Sequence, residues 1–173
     1  SRLESATGYS FGAVIRHGFT KSLSMEVGIN YVKRYYNLSM DKITDSATYT
    51  DGMQFGLVSY SIPIQGLVYV RLSELLYMNA STGVSLDGYA SATSGATPSR
   101  NFEHFSQPHN RIGASYIPNV GFELRTKKDG YFYIGASYSR PFGLMGVSYN
   151  EWRINEFDYT HFLEGQYLTL DLK

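Results

Sequence analysis

Apolar and polar residues alternate with period two over much of the chain. In LSMEVGINYVKRYY, residues 23–36, one register reads Leu23, Met25, Val27, Ile29 and Tyr31, and the other reads Ser24, Glu26, Gly28 and Asn30. Successive side chains leave a pleated strand on opposite faces, so this period predicts a β-strand with one apolar face. Upstream, GYSFGAVIRH sets Tyr9, Phe11, Ala13 and Ile15 against Ser10, Gly12 and Arg16, and GFTKS turns the chain between the two strands. A long third strand spans 52–71. Its apolar parity changes from Met53, Phe55 and Leu57 to Tyr60, Ile62 and Ile64, which predicts one inserted residue, a β-bulge, near Val58 and Ser59. Pro63 fits a locally unpaired amide there. Strand four follows the RLSE turn, with Leu76 to Leu86 alternating against Asn79 to Asp87. Strand five sets Ile112 to Leu124 against Arg111 to Glu123. TKKDG then makes a tight hairpin into strand six, around Phe132 to Tyr138, and YLTLDLK is the last strand. No segment predicts a helix, so the expected fold class is all-β.

The connections alternate in length: short at 18–22, 72–75 and 126–130, long at 37–51, 90–109 and 141–158. An up-and-down antiparallel meander puts the short turns at one end and the long loops at the other, as bacterial outer-membrane barrels do. The polar parity is mostly Gly, Ser, Asn and Gln, small residues that suit a narrow interior. The strands match or exceed the ~9–11 residues that cross a bilayer at a tilt, and Tyr and Phe lie near their ends, as interfacial girdles do. The expectation is a single-domain transmembrane β-barrel over 1–173, with its apolar face toward lipid. Seven strands are visible, whereas closed bacterial barrels have an even count. An eighth strand, the first in order, is expected upstream of residue 8 or from another segment or chain. An eight-stranded interior is filled rather than open. The charged residues on the polar parity, Arg16, Glu26, Arg34, Arg71, Asp87, Arg111, Glu123, Arg125 and Asp171, are expected to pair as an interior ionic network.

Composition sharpens this picture. Charged residues make up 17% of the chain, against about a quarter in ordinary soluble domains. The 15 basic and 15 acidic residues cancel, and no basic stripe invites nucleic acid. Cys is absent, which removes disulfides, thiolate nucleophiles and Cys-based metal sites. No segment approaches the ~20 apolar residues of a membrane helix. The opening SRLESATGYS reads as a processed or trimmed polypeptide rather than a signal peptide.

Candidate chemistry is sparse. His104 and Ser106 lie in FEHFSQPHN beside Glu103, but sequence neighbours seldom converge as a Ser-His-acid site. His104 and His109 have no carboxylate spacing that makes a metal site, and His17 and His161 fall on the outward parity near strand ends. Asn37-Leu38-Ser39 matches a glycosylation acceptor, which a bacterial barrel does not normally use. The expectation is a non-enzymatic protein with no catalytic residue, cofactor or metal. The connection at 141–158 holds Phe142, Leu144, Met145, Tyr149, Trp152 and Phe157, an aromatic and Met cluster of the kind enriched in interface cores. It is the candidate partner-binding loop. Residues 90–109, rich in Ser, Ala and Thr, read as a mobile loop.

YSIPIQGLVYVRL (60–72) followed by LLYMNASTGVSLDGY (75–89) resembles the PorT-type, porin-like outer-membrane β-barrel family of Bacteroidota. Ile62-Pro63-Ile64 matches that family's motif core, with Ser61 where an acidic residue is frequent, and GASYIPNVGFEL and GYFYIGASYS are similar to its later strands. The resemblance spans most of 8–173. It implies an eight-stranded outer-membrane barrel in contact with lipid, working with another outer-membrane or secretion or assembly protein. It transfers no catalytic residue. Two departures stand out: the first strand is missing, and the chain ends at Lys173 where these barrels usually close with an aromatic. The alternatives are a soluble lipocalin-like ligand-binding barrel and a lipid-modifying barrel enzyme. A detergent requirement separates the first alternative from the membrane barrel, and lipid turnover separates the second.

Overall fold

The computed structural model describes residues 2–43, 48–90, 92–96, 102–126, 130–152 and 157–173. Among them the strands are β1 (Arg2–Gly18), β2 (Leu23–Ile43), β3 (Thr48–Arg71), β4 (Leu76–Tyr89), β5 (Thr93–Ala96), β6 (Phe102–Pro108), β7 (Ile112–Arg125), β8 (Tyr131–Pro141), β9 (Gly146–Trp152), β10 (Phe157–Leu163) and β11 (Tyr167–Leu172). The described chain is all-β. Seven strands make one sheet in the order β1-β2-β3-β4-β7-β8-β11, every neighbouring pair antiparallel, and the sheet curls into a half-barrel.

Hydroxyl side chains hold the three short turns at one end. Thr20 Oγ1 accepts from the Leu23 amide, Ser73 Oγ accepts from the Leu76 amide, and Thr126 Oγ1 accepts from the Gly130 amide at 3.1 Å. Each thereby satisfies backbone donors that a tight reversal would leave open. Within TKKDG, residues 127–129 lie outside the described residues.

The other end differs from the expected long loops. β2 and β3 continue through most of 37–51 and stay paired out to Ile43 opposite Thr48. Within 90–109 and 141–158 the chain folds back as β5–β6 and β9–β10, which join into a second, four-stranded sheet ordered β10-β9-β6-β5. Residues 90–109 therefore carry two paired strands where a mobile loop was expected. Their inward residues are polar, and this concealed the apolar alternation that marks a strand.

The predicted bulge is absent from β3. Its register against β2 runs on one diagonal from Leu23 opposite Val68 to Ile43 opposite Thr48. The chain bulges instead on β1, between Ala6 and Tyr9. What changes along β3 is the side on which apolar residues fall. Toward the short turns, Tyr60, Ile62, Ile64, Val68 and Val70 are exposed on the convex face. Toward the loop end, Phe55 turns inward and is buried, packing with Tyr36, Leu38, Tyr89, Met145 and Leu163 in a small apolar core. Tyr36 and Phe55 stack there with ring centroids 5.5 Å apart. β2 makes the same change, from exposed Val27 and Ile29 to buried Val32, Tyr36 and Leu38.

Candidate functional site

On the half-barrel the two parities part cleanly. The exterior carries Phe11, Ile15, Val27, Ile29, Val84, Val120, Phe122 and Ile134, all exposed, with Ala80 exposed among them. The concave face carries buried polar groups: Ser24, Glu26, Ser59, Ser61, Asn79, Ser81, Ser85, Asp87, Ser115 and Glu123. A buried polar group costs stability unless it is hydrogen-bonded, and most of these are.

Near the short turns, β1, β2, β7 and β11 aim their charges at one another. Glu123 accepts from Arg16 Nη1 at 2.6 Å and from Arg125 Nε at 2.8 Å. Glu26 accepts from Arg16 Nη2 at 2.9 Å, and from Lys173 Nζ at 2.5 Å. Tyrosine rings cover the cations: Arg125 lies 4.0 Å from the Tyr77 centroid and Arg16 lies 4.9 Å from that of Tyr131. Two near-buried carboxylates thus bind three cations in a site walled by aromatic rings, which is the satisfied arrangement a charge needs away from water.

Farther up, Tyr133 Oη donates to Asn119 Oδ1 at 2.6 Å, and Asn119 Nδ2 donates to Asp171 Oδ2 at 2.9 Å. The Tyr133 ring lies across Gly121 and Gly135, and any Cβ at either glycine would meet it. At Gly121 and Gly135 the missing side chain therefore makes room for an inward aromatic ring. Asp87 accepts from Ser85 Oγ at 2.7 Å and from Ser115 Oγ, and Ser85 bonds Ser61 across the β3–β4 pair at 2.6 Å. At the loop end Arg34 lies over the Tyr167 ring at 4.3 Å, donates to Met145 Sδ and reaches Ser59. Gly165, with φ +74°, turns the chain into β11 beside Arg34 and Met145, where a Cβ would have no room.

Of the nine expected interior charges, Arg16, Glu26, Glu123 and Arg125 meet in one cluster, and Asp171, Asp87 and Arg34 occupy separate interior levels. Two do not join them. Arg71 is exposed and donates to the Ser73 carbonyl in the turn, and Arg111 is exposed ahead of β7. Both sit at strand ends, where the polar parity runs out into solvent. Lys173 was missed, although it shares the parity of Asp171. The hydroxyl and amide partners Ser61, Ser85, Ser115 and Asn119 stood on the inward parity but were not singled out.

The candidate partner segment divides. Phe142 and Tyr149 are exposed and Leu144 is at the margin of exposure, but Met145 is 3% exposed inside the apolar core. Met145, just ahead of β9, is taken up by the core of Tyr36, Leu38, Phe55, Tyr89 and Leu163 rather than presented at the surface. The side chains of Trp152 and Phe157 lie outside the described residues. The outer face of the small sheet adds Phe105, stacked 6.5 Å from Tyr149, and Phe162, at 64% exposure. Its inner face carries His104, whose Nδ1 meets Asn150 Oδ1 at 2.8 Å and whose ring lies 4.0 Å from Phe55. Burial lowers the His104 pKa, against the Asn150 hydrogen bond, which raises it. His161 is half-buried opposite Ser148 on β9, not on an outward barrel face as its parity implied.

In comparisons with protein-family models, curated proteins and solved structures, no match to this chain was found.

Proposed function

We propose that this chain is a non-enzymatic transmembrane β-barrel of a bacterial outer membrane, eight-stranded when complete, serving as a structural or accessory subunit. It meets lipid with its convex face, fills its interior with side chains, and engages another outer-membrane or secretion or assembly protein through its loop end. One observation carries the reading: the apolar parity is exposed along the half-barrel, and the opposite parity is largely buried, with most of its polar groups hydrogen-bonded. A soluble barrel has the reverse need, since its apolar parity must leave water. A lipocalin-like ligand site needs an apolar lining, and this concave face intersperses Val32, Leu67 and Ile117 among a larger set of buried Ser, Asn, Asp and Glu and part-buried Arg. The likeness of 60–89 to Bacteroidota barrels points the same way. The loop-end surface suited to a partner is the outer face of the small sheet, with Phe105, Tyr149 and Phe162 and the adjoining Phe142.

Solution behaviour tests this. The purified protein should require detergent micelles or lipid to remain monodisperse and β-rich, and should aggregate when the detergent is diluted below its critical concentration. Stable monomers in detergent-free buffer would sink the membrane reading. Planar-bilayer recordings should show no large, steady current, because an interior of this size is occupied.

A further inference from the structure

Of the described cations that point into the half-barrel, Arg34 alone has no carboxylate. Arg16 closes the Nε–Nη2 edge of its guanidinium on a single atom, Glu26 Oε2, at 3.1 and 2.9 Å, and gives Nη1 to Glu123. Arg125 and Lys173 are held by the same two acids. Arg34 finds only neutral neighbours. Its Nη1 donates to the Met145 thioether, its Nη2 meets Ser59 Oγ at 3.4 Å, and the Tyr167 ring covers its plane. Its charge also reaches the phenols of Tyr36 and Tyr89. Its Nε is buried and has no acceptor. Sulfur is a weak acceptor, a hydroxyl at that distance is a poor one, and a ring offers only its quadrupole. Asp87, two residues before Tyr89, is taken up by Ser85 and Ser115, and Asp171 by Asn119. Arginine stays ionised in proteins, and a charge drawn out of water is costly without a counter-charge.

We infer that Arg34 binds one monatomic anion, a halide, held by its Nε–Nη2 edge and the Ser59 hydroxyl. A void of about 10 Å³ adjoins the guanidinium, lined by Arg34, Leu57, Ser59, Tyr89, Gln107 and Met145. It has room for about one sphere of the size of a water molecule, and for no polyatomic anion. The geometry is the one Arg16 already uses. There one oxygen bridges Nε and Nη2, and a single halide takes the same place at Arg34. Charge favours the halide over water, because a neutral occupant leaves the guanidinium uncompensated. Size favours it over phosphate, sulfate or a carboxylate. The anion sits where β2, through Arg34, meets Ser59 of β3, Met145 ahead of β9 and Tyr167 of β11. At this level the small sheet leaves the large one, so the anion fastens the two together. The inference is independent of the membrane reading, since the void lies on the concave side whatever the convex face meets.

Chloride is the probe. Unfolding of the full chain is followed at fixed ionic strength, with sodium gluconate, whose anion is too large for the void, replacing sodium chloride. Above the dissociation constant, each tenfold rise in chloride should lower the unfolding constant about tenfold. Bromide should act alike, and phosphate should do no more than gluconate. Arg34→Gln should lose the chloride dependence. Arg34→Lys, which keeps the charge without the planar edge, should retain a weakened one. Unfolding that ignores chloride would overturn the inference, as would an Arg34→Gln dependence equal to that of the unmutated protein or an equal effect of phosphate. Should Arg34→Gln fail to fold, the unmutated protein decides. Its crystals soaked in bromide should give an anomalous peak against Arg34 Nε, and water alone at that position would overturn the inference too. Whether the protein needs detergent changes none of these outcomes.

Discussion

Glu123 is the residue on which the interior cluster depends. Its carboxylate is 3% exposed and holds Arg16 and Arg125 at 2.6 and 2.8 Å. Replacing it with Ala strands two cations. Removing one partner of a buried ion pair costs ~3–5 kcal/mol. The lower end applies here: Arg16 keeps its bonds to Glu26, and Arg125 is 40% exposed and retains the Tyr69 and Tyr77 rings. Glu123→Ala should therefore lose about 3 kcal/mol. Glu123→Gln keeps the shape and one acceptor oxygen and should lose about half as much, the difference between charged and neutral hydrogen bonds. The assay is reversible urea unfolding in lipid vesicles, followed by tryptophan fluorescence. A double-mutant cycle with Arg16→Ala should return a coupling above about 1 kcal/mol. A Glu123→Ala effect below ~0.5 kcal/mol, within the range of ordinary surface changes, together with zero coupling, would refute the idea that these charges form one buried unit.

Three further outcomes follow from other parts of the molecule. Val84→Arg, on the exposed apolar face of β4, should cost ~2–4 kcal/mol in the same bilayer assay if it lies near the midplane, whereas in a soluble barrel the change would be close to neutral. Gly135→Val should displace Tyr133 from its place across Gly121 and Gly135, seen as faster amide exchange in β7 and β8 and a fall of about 1–3 kcal/mol from overpacking. His104 has a pKa lowered by burial, so the folded state resists its protonation. Stability of the small sheet is complete above the unfolded value of ~6.5 and declines as pH falls below it. The protection of amides in β6 and β9, their exchange rate divided by the intrinsic rate at the same pH, should therefore weaken between about pH 6.5 and 5. Because the His161 pKa is lowered by burial too, His104→Gln should reduce that loss of protection and His104→Gln with His161→Gln should abolish it.

The strands were legible because period two survives any environment with two unlike faces. Leu23 to Tyr31 and Ile112 to Leu124 announce themselves. Solvent was harder to read. A change of apolar parity at Val58 and Ser59 has two physical causes, an inserted residue or a change in which side is wet, and a linear pattern does not separate them. The unbroken register of β2 on β3 excludes the first cause. β6 was hidden for a related reason. With His104 and Ser106 inward and Phe105 outward, its alternation has the polarity of the membrane-type face but sits in a segment rich in turn-forming residues. Met145 misled because an aromatic and Met cluster has the same composition whether it faces a partner or its own core. The inward charges were legible by parity, but which of them meet depends on strand stagger, which composition does not encode.

Under the proposed membrane function, the change of parity also predicts where lipid would end. Along β3 and the residue after it the outward apolar run extends from Tyr60 to Leu72, and on β2 from Leu23 to Tyr31. At ~3.3 Å per residue these are about 40 and 26 Å along the strands, or about 30 and 20 Å along the axis at a tilt near 40°. They bracket the ~25 Å apolar band of outer-membrane barrels. Tyr9, Tyr31 and Tyr60 stand at the upper limit with rings in contact, where an aromatic girdle belongs. Above them the outward residues are Lys33, Tyr35 and Asn37 on β2 and Val58, Gly56 and Gln54 on β3, and beyond Val58 the apolar residues of β3 lie inside. A chain crossing from lipid into water must exchange its faces at that level without shifting register. With Trp152 replaced by Phe, Ile62→Trp should be strongly quenched by brominated lipid, and Gln54→Trp, about 26 Å farther along the same face of β3, should be reached by aqueous acrylamide instead. Equal quenching of both by lipid would place the membrane boundary elsewhere. Equal quenching by acrylamide would mean that the exposed face of this sheet meets water throughout.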